Sequence, residues 1–331
     1  MIATCKICPF NCKIRPGGRG KCGVRGNENG LVSLLTYGDV STMVEGPIEQ
    51  KPLFHFHPGM KVLSIGGLGC NLSCGFCQNH EISQVGRKDS LLNKLPLGKQ
   101  SNIPDIPDMV SRAKSRGNGG VAFTYSEPMV WYEYVMDVAK QARKAGLKTI
   151  LKTNAYANED AFSEMLDVMD AVNIDIKGPK QAYKDVCGIE VPDDLGVIMR
   201  NLGNAVRKCH VEVSMPAIPP YCHQPETMSI MFEMQRVAGR SLPIHVLRVA
   251  PDHKMKDLKT DDWEVSDLFY TARGYFQYVY SDLKGGSLTT CYECGNLLVE
   301  RQGLKVTKNN LVRGKFCPNC YCWTVQNFEG L

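Results

Sequence analysis

Residues 61 to 80, KVLSIGGLGCNLSCGFCQNH, join a strand-like apolar run to a loop that carries three cysteines. Cys70, Cys74 and Cys77 lie within eight residues and are spaced C-x3-C-x2-C. A structural zinc ion takes four protein ligands, whereas a 4Fe-4S cube has four iron corners. Three thiolates therefore suit a cube with one iron left open, where a ligand carrying an amine and a carboxylate can bind. We predict a 4Fe-4S cluster at the carboxyl end of a strand, with Phe76 as an aromatic wall.

The alternative for this loop is a zinc knuckle that borrows a distant His or Cys as its fourth ligand. His80 is the nearest candidate, although we favour a local hydrogen-bonding or substrate-side role for it. The cluster is the preferred interpretation because the loop follows a strand-like run, and ligands of parallel α/β sheets gather where the strands end.

The composition is that of an ordinary globular protein. The chain has 331 residues, of which 43% are hydrophobic and 22% charged, so it can hold one barrel-sized domain with small appendages or two ordinary domains. No apolar run approaches the roughly 18 residues of a membrane span, and MIATCKICPFNC lacks the apolar stretch of a signal peptide. The net charge of +5 is mild and spread along the chain. We therefore expect a cytoplasmic protein without a membrane partner. The charge does not favour an extended nucleic-acid surface, although binding to RNA stays an open alternative.

Two further cysteine clusters flank the loop, among fifteen cysteines in all. In a reducing compartment, closely spaced cysteines bind metals more often than they form disulfides. The N-terminal cluster has the spacing C-x2-C-x3-C-x9-C, and the C-terminal cluster consists of two C-x2-C pairs separated by twenty-two residues. Their members are Cys5, Cys8, Cys12 and Cys22 in the first cluster and Cys291, Cys294, Cys317 and Cys320 in the second.

Each flanking cluster is predicted to bind zinc or iron. The C-terminal pairs match a zinc ribbon or rubredoxin, with zinc the default metal, iron the alternative, and Cys322 a spare thiol. The N-terminal spacing suits both an iron–sulfur cluster and zinc, and we favour a four-ligand structural metal there.

Short apolar runs alternate with helical stretches between residues 61 and 285, a pattern typical of βαβ units and a parallel sheet. The chain then divides into a cysteine-rich metal-binding segment at 1–60, this βα region at 61–285 and a four-cysteine module at 286–331. Six or seven strands suffice for a partial barrel or an open doubly wound sheet. The predicted strands are KVLSIGG, GVAFTYS, LKTILKT, AVNIDIK, VEVSMPA, PIHVLRVA and FQYVYSD.

Two predicted helices have apolar stripes that should pack on this sheet. One runs from Pro128 to Gly146, with proline in its first turn and glycine at its end, and the other runs from Glu159 to Met169. Segment 86–108 is rich in Ser, Asn, Pro and Lys and is predicted to be an exposed insertion. The apolar stripe of the first helix consists of Val130, Tyr134, Val135, Val138, Ala139 and Ala142.

The cysteine loop resembles the signature of the radical S-adenosylmethionine (SAM) superfamily. GFCQNHEIS resembles the form found in glycyl-radical-enzyme activases related to the pyruvate formate-lyase activating enzyme. Similarity to the AmmeMemoRadiSam-system branch extends through residue 325 and rests on KPLFHFHPG, FTYSEP, TNAY, NIDIKG, PDHKM and the flanking cysteine clusters. The resemblance implies a partial (β/α)6 TIM-like barrel of the radical SAM type, with a small cysteine-rich N-terminal module and a rubredoxin-like or zinc-ribbon C-terminal module. It also implies a 4Fe-4S cluster, S-adenosylmethionine and a low-potential electron donor.

The resemblance further implies which residues surround S-adenosylmethionine. FTYSEP stands where the family holds the methionyl amine, and the next two strand ends, TNAY and NIDIKG, face the same cavity. The implied cofactor-binding residues are Phe76, Thr124, Tyr125, Ser126, Glu127, Lys152, Thr153, Asn154, Asp175, Lys177 and His253.

Two positions depart from the activase pattern. Lys152 stands where the activating enzymes commonly have Asp; either its ammonium replaces the cation that such a carboxylate binds, or its side chain points away. Ser214 stands where those enzymes can place Arg, so their substrate contacts do not transfer. We therefore assign no catalytic residue from the sequence.

The expected activity is reductive cleavage of S-adenosylmethionine to a 5'-deoxyadenosyl radical that abstracts hydrogen from a substrate. The resemblance favours a protein glycine as that substrate. One alternative is radical modification of a small molecule or RNA. Another, from a different class, is a non-catalytic metal-binding scaffold.

Overall fold

Fifteen strands and eight α-helices lie in the residues that the structure, a computed structural model, describes: 1–85, 105–191 and 195–323. The strands are β1 (Ala3–Thr4), β2 (Lys13–Ile14), β3 (Arg25–Glu28), β4 (Leu31–Leu34), β5 (Thr42–Pro47), β6 (Lys61–Gly66), β7 (Gly120–Phe123), β8 (Lys148–Thr153), β9 (Ala171–Asp175), β10 (His210–Ala217), β11 (Ile244–Arg248), β12 (Val279–Tyr280), β13 (Thr289–Thr290), β14 (Leu297–Gln302) and β15 (Lys305–Asn309). The helices are α1 (His80–Ser83), α2 (Ile106–Ser115), α3 (Tyr132–Lys144), α4 (Glu159–Leu166), α5 (Lys180–Asp185), α6 (Gly196–Ala205), α7 (Pro225–Ala238) and α8 (Asp262–Tyr275).

Eight strands form a central sheet in the order β12-β11-β10-β9-β8-β7-β6-β5. At one edge β5 pairs with β6 in antiparallel fashion, and every other neighbouring pair is parallel. Six of the parallel strands have four or more residues, and β12 at the other edge has two. This sheet confirms the predicted α/β class, and each of the seven predicted strands contributes to it.

The parallel strands are buried on both faces, which explains their unbroken apolar runs. All four residues of β7 are buried, as are the first four residues of β9. Alternation of polar and apolar residues is expected only where one face of a strand meets water. Because the strands are parallel, their carboxyl ends and the loops that follow them lie along one edge of the sheet.

The helix between β7 and β8 confirms the predicted stripe, since each of its six named apolar residues is buried. A 3-10 turn at Pro128–Trp131 leads into α3, and Gly146 follows the helix with a φ of 81°. The second predicted helix ends at Leu166 rather than Met169. Its last turn tightens into i to i+3 hydrogen bonds, in which Val168 N–H donates to Met165 O and Met169 N–H donates to Leu166 O.

The flanking segments add small sheets to this core. In the N-terminal segment β1 pairs with β2 and β3 with β4, and near the C-terminus β13, β14 and β15 form a three-stranded antiparallel sheet. Strand β5 falls inside the predicted segment 1–60, yet it pairs along its whole length with β6 of the central sheet. The divisions at residues 60 and 285 stay predictions.

The predicted insertion at 86–108 falls mostly outside the described residues, which resume at Asp105. That residue caps α2, where its carboxylate accepts a hydrogen bond of 3.3 Å from the Asp108 N–H. Within the described ranges, no helix is both long and apolar enough to cross a membrane.

Candidate functional site

A cavity of about 370 Å³ opens at the carboxyl ends of the parallel strands. Every predicted residue of the cysteine loop and the cofactor site lines it, apart from His253. The structure therefore brings together residues from four loops that are distant in sequence, while their roles toward a cofactor stay predictions. The predicted residues on the cavity wall are Cys70, Cys74, Phe76, Cys77, Thr124, Tyr125, Ser126, Glu127, Lys152, Thr153, Asn154, Asp175 and Lys177.

The cysteine loop is fixed by backbone hydrogen bonds to the segment after α5. Ser73 N–H donates to Cys187 O and Gly75 N–H donates to Val186 O, both at 2.8 Å. The Gln84 side chain adds a hydrogen bond of 3.0 Å to Cys74 O. The three thiols of the loop are therefore held at the cavity, and a fourth cysteine, Cys187, contacts the loop through its carbonyl and its thiol.

The arrangement of these thiols fits a cluster better than a single ion. The sulfur atoms of Cys70, Cys74 and Cys77 do not all lie within 4.8 Å of one another. A tetrahedral zinc ion with Zn–S bonds of about 2.3 Å would bring its sulfur ligands to about 3.8 Å apart. Ligands of a cube bind different irons and stand farther apart. The donor set therefore fits a 4Fe-4S cluster.

Glu127 joins the ends of β7 and β8 at the cavity. One carboxylate oxygen accepts hydrogen bonds from Thr153 Oγ1 at 2.7 Å and Met129 N at 3.0 Å, and the other accepts from Asn154 N at 2.9 Å. Burial raises the pKa of Glu127, although these three donors favour its charged form. Glu127 therefore positions the two strand ends, and its acceptors are already occupied.

Ser126, one residue earlier, is different. Its Oγ is buried, and among the described residues it has no hydrogen-bond partner. A buried hydroxyl without a partner is costly, so this atom fits a ligand that supplies one. It lies in the FTYSEP stretch, where the resemblance implies the methionyl amine of S-adenosylmethionine.

A chain of three charges crosses the cavity floor from β8 to the end of β9. Asp175 lies between Lys152 Nζ at 2.8 Å and Lys177 Nζ at 3.2 Å. Burial opposes ionisation of Asp175, but the two lysines outweigh it and lower its pKa to about 2. Burial lowers the pKa of Lys152, whereas attraction to Asp175 raises that of Lys177 despite its burial. The Lys152 ammonium therefore points towards Asp175 at the cavity, while its replacement of a cation near the cofactor stays a prediction.

Lys51 is a cavity residue that sequence reasoning missed. Its side chain is 4% exposed, and its Nζ lies 4.7 Å from the centre of the Tyr125 ring. Among the described residues no carboxylate lies within ion-pair distance of it, whereas Lys152 is near enough to repel it. Burial, followed by that repulsion, lowers the pKa of Lys51 to about 8. The only signal in the sequence was its place in KPLFHFHPG, a stretch without a recognisable ligand pattern.

His253 lies beside the cysteine loop rather than on the cavity wall. Its ring stacks on that of His80, with centroids 4.1 Å apart, and burial lowers its pKa. The neighbouring residue binds the loop directly, because Lys254 N–H donates to Gly75 O at 2.9 Å. The contact between His253 and the cofactor stays a prediction.

The C-terminal cysteines form a compact four-thiol group. The sulfur atoms of Cys291, Cys294, Cys317 and Cys320 all lie within 4.8 Å of one another, the separation expected for ligands of one ion. Cys322 is a fifth thiol in contact with this group, since its sulfur lies 3.3 Å from that of Cys291 and 3.1 Å from that of Cys320.

These observations define a cysteine-rich protein of the α/β class, and the chain belongs to the radical SAM superfamily. The model of that superfamily matches residues 64–228, which include the cysteine loop and strands β7 to β10. An uncharacterized protein of Methanocaldococcus jannaschii is 33% identical over 329 residues, which cover 96% of this chain and 93% of that protein. Membership of the superfamily implies a 4Fe-4S cluster and S-adenosylmethionine as cofactors.

Activating enzymes are more distant relatives. The pyruvate formate-lyase-activating enzyme of Clostridium pasteurianum is 25% identical over 213 residues, 59% of this chain and 83% of that protein. The 4-hydroxyphenylacetate decarboxylase activating enzyme of Clostridioides difficile strain 630 is 24% identical over 156 residues, 45% of this chain and 49% of that protein.

Solved structures resemble this chain with TM-scores below 0.5 and with lower sequence identity than the relatives above. SuiB of Streptococcus suis bound to the precursor peptide SuiA has a TM-score of 0.48 and 12% identity, and covers 71% of this chain and 51% of its own. The structure of anSMEcpe with bound AdoMet and Kp18Cys peptide has a TM-score of 0.47 and 15% identity, and covers 70% of both chains. The family assignment therefore rests on the sequence matches.

Proposed function

We propose that this chain cleaves S-adenosylmethionine reductively in the cavity at the strand ends, and that the resulting 5'-deoxyadenosyl radical abstracts hydrogen from a protein glycine. The observation that carries the proposal is the three-thiol loop that opens into this cavity, whose sulfur atoms do not have the close spacing of the ligands of one zinc ion. A 4Fe-4S cluster with an open iron supplies the one-electron chemistry when it is bound.

Residues of this chain would bind and orient the cofactor. Cys70, Cys74 and Cys77 would hold three irons. The unpartnered Ser126 Oγ is a fitting acceptor for the methionyl amine, because its hydroxyl lacks another partner among the described residues. Lys177, whose ammonium is held charged by Asp175, would bind the methionyl carboxylate.

The first test is the formation of 5'-deoxyadenosine from S-adenosylmethionine by the anaerobically reconstituted, dithionite-reduced protein. Cys74→Ala should reduce this rate by at least a hundredfold, because a cube with two protein ligands is neither held nor presented to the cofactor. Cys209→Ala is the matched control, since this thiol donates to Ala205 O at the end of α6 and does not line the cavity, and it should retain the parent rate. A Cys74→Ala protein that works at the parent rate would contradict the proposal and favour the non-catalytic scaffold.

Two observations support a protein glycine as substrate. The named relatives include activating enzymes of two different proteins, and the GFCQNHEIS stretch resembles their loop. Incubation of the reduced protein and S-adenosylmethionine with an anaerobic extract of its source cells should then produce a glycyl-radical signal in electron paramagnetic resonance (EPR) spectra. A small-molecule or RNA product without that signal would instead establish direct modification. A low-potential reductant of the flavodoxin or ferredoxin class would supply the electron in cells.

We further propose that the C-terminal group holds one structural zinc ion. The support is the mutual approach of four thiols within 4.8 Å on hairpin loops. Metal analysis should find one zinc ion per chain that Cys294→Ala/Cys317→Ala loses, whereas iron at this position would favour a rubredoxin-like site. The fifth thiol, Cys322, would not be one of the four zinc ligands.

A further inference from the structure

The N-terminal cysteines converge on one point, as metal ligands do. Cys5, Cys8 and Cys22 are buried, with exposures of 7%, 8% and 7%. Cys5 N–H donates to Cys12 O at 3.0 Å, which closes the loop between them. Lys21 N–H donates to Cys12 Sγ at 3.4 Å, which brings the residue before Cys22 against the Cys12 thiol.

The spacing of these thiols differs from that of the C-terminal group. No three of their sulfur atoms lie mutually within 4.8 Å, although every one of these cysteines belongs to the described residues. Sulfur ligands of one zinc ion would be about 3.8 Å apart. The C-terminal group meets that expectation, with Cys291 and Cys320 sulfur atoms at 3.7 Å and those of Cys294 and Cys317 at 3.6 Å.

The loop of Cys70, Cys74 and Cys77 provides an internal comparison. Membership of the superfamily implies a cube there, and those sulfur atoms also fail to lie within 4.8 Å of one another. The N-terminal set shares this wider spacing and contains a fourth thiol. It therefore has a ligand for every iron of a cube, with no corner left for a substrate.

The N-terminal loop packs directly on the cysteine loop of the active site. Gly69, the residue before Cys70, has a φ of 86°, and a Cβ there would lie 2.9 Å from Cys22 O. Only glycine allows this close approach. The two cysteine-bearing segments are therefore in van der Waals contact, at Cys22 itself on one side and one residue before Cys70 on the other.

A second connection runs through the loop after β8. Phe10 contacts the Tyr156 ring edge-on, with centroids 5.5 Å apart. The Tyr156 carbonyl accepts a hydrogen bond of 2.7 Å from the Asn71 side chain. Asn154 then donates to Asn71 Oδ1 at 2.8 Å and lies 4.0 Å from the Cys70 sulfur. A continuous series of hydrogen bonds and van der Waals contacts therefore connects the segment of the N-terminal cysteines to the loop of Cys70.

From these observations we propose that Cys5, Cys8, Cys12 and Cys22 hold a second 4Fe-4S cluster that passes electrons to the cluster of the active site. One electron from a reductant of the flavodoxin or ferredoxin class reduces the second cluster from the 2+ to the 1+ state. The same electron then reduces the active-site cluster, and the second cluster returns to 2+. No atom is transferred. The transfer step rests on the proposed function, whereas the identity of the second cluster does not.

The first experiment identifies the cluster in the intact protein. Anaerobic reconstitution should give about eight irons and eight sulfides per chain, as two cubes require. EPR spectra of the reduced protein should then show two cube signals, of which only one changes when S-adenosylmethionine is added. A content of about four irons and four sulfides with zinc at the N-terminal cysteines would overturn the proposal.

A variant that lacks the active-site cluster makes the assignment specific. Cys70→Ala/Cys74→Ala/Cys77→Ala should keep about four irons and four sulfides and a cube signal that S-adenosylmethionine does not change. Adding Cys8→Ala and Cys22→Ala should remove both the sulfide and the signal. If the variant with all five substitutions still retained sulfide, the cluster would have to bind elsewhere in the chain, which would contradict the assignment.

The second experiment tests electron transfer through a ratio of rates. For each protein, 5'-deoxyadenosine formation with reduced flavodoxin is divided by that with dithionite, a small reductant able to reach the active site itself. Cys8→Ser should lower this ratio at least tenfold, and the control Cys209→Ser should leave it unchanged. An unaltered ratio in Cys8→Ser would overturn the transfer role. Absence of product from the parent protein with dithionite would instead count against the proposed function alone.

Discussion

Lys51 is a single residue that destabilises the folded chain and lines the cavity at the strand ends. A buried ammonium without an anionic partner is destabilising, and a Tyr125 ring 4.7 Å away compensates only in part. Tyr125 itself has a φ of 71°, a left-handed conformation that non-glycine residues rarely adopt. Such strain and unpaired charge concentrate at functional sites. The cavity is therefore prepared for an anionic group near Lys51.

Lys51→Met should stabilise the protein at pH 7 by about 1 to 3 kcal/mol, because it removes this buried charge. Below pH 8 the ammonium is charged in both the folded and the unfolded chain, so its burial cost is fully present. Between pH 8 and the unfolded pKa of 10.5 the folded chain loses the proton first, and the cost declines as pH rises. The advantage of Lys51→Met should shrink across this range in urea unfolding, whereas exposed Lys140→Met should show little effect at either end. A parent protein more stable than Lys51→Met at pH 7 would contradict this account.

At the scale of elements, one buried carboxylate joins a loop to two strands. Glu212 on β10 accepts backbone hydrogen bonds from Phe54 N at 3.0 Å and His55 N at 2.7 Å. It also contacts the ring nitrogens of His210 at 2.9 Å and of His245, on β11, at 2.6 Å. Burial opposes its ionisation, but these histidines hold the pKa of Glu212 well below its usual range. The loop that closes the amino ends of the strands is therefore held by a charge-assisted network.

Glu212→Gln should lower the free energy of unfolding by about 3 kcal/mol, because the amide turns one acceptor into a donor and leaves buried donors without a partner. Exchange of the Phe54 and His55 amide protons should become faster as the loop loosens. Exposed Glu226→Gln on α7 is the control and should change stability by less than about 0.5 kcal/mol. A loss below about 1 kcal/mol for Glu212→Gln would show that the loop is held by its apolar contacts instead.

At the scale of the whole molecule, Arg301 of β14 connects the C-terminal sheet to the main body. Its guanidinium donates to Phe54 O at 2.7 Å and to Thr289 Oγ1 at 2.8 Å, and lies 4.2 Å from the Phe54 ring. Glu49 adds an ion pair at 3.6 Å. The C-terminal module thus packs on the same loop that Glu212 holds, at the amino ends of the strands and away from the cavity.

Arg301→Met should cost about 3 to 5 kcal/mol of stability, since it leaves the buried Glu49 carboxylate without its cation. Limited proteolysis should then cut more rapidly between residues 281 and 290, while the C-terminal thiols keep the zinc ion that we propose for them. Lys308→Met, on the exposed face of β15, should leave both the proteolysis rate and stability unchanged. Loss of the metal together with the contact would mean that the module does not fold independently of this interface.

Local sequence patterns were enough to predict much of the fold and part of the site. Seven apolar runs became the parallel strands, because strands buried on both faces need unbroken apolar sequence. The three-cysteine loop and the paired C-terminal cysteines could be predicted as metal ligands because their cysteines are closely spaced along the chain. The boundary of α4 was three residues too long, since the tightening of a last turn leaves no clear signature.

The amino-acid sequence by itself determined the parallel α/β sheet, the three-thiol loop after its first parallel strand and the incomplete ligand set of that loop. Only the tertiary structure decided the partners of Glu212, which lies 157 residues from His55, and the burial of Lys51 beside the Tyr125 ring. It also decided the wider spacing of the N-terminal thiols and their contact with Gly69. The physical reason is that spacing along a chain limits which residues can share a ligand, whereas distances between loops follow from how the elements pack.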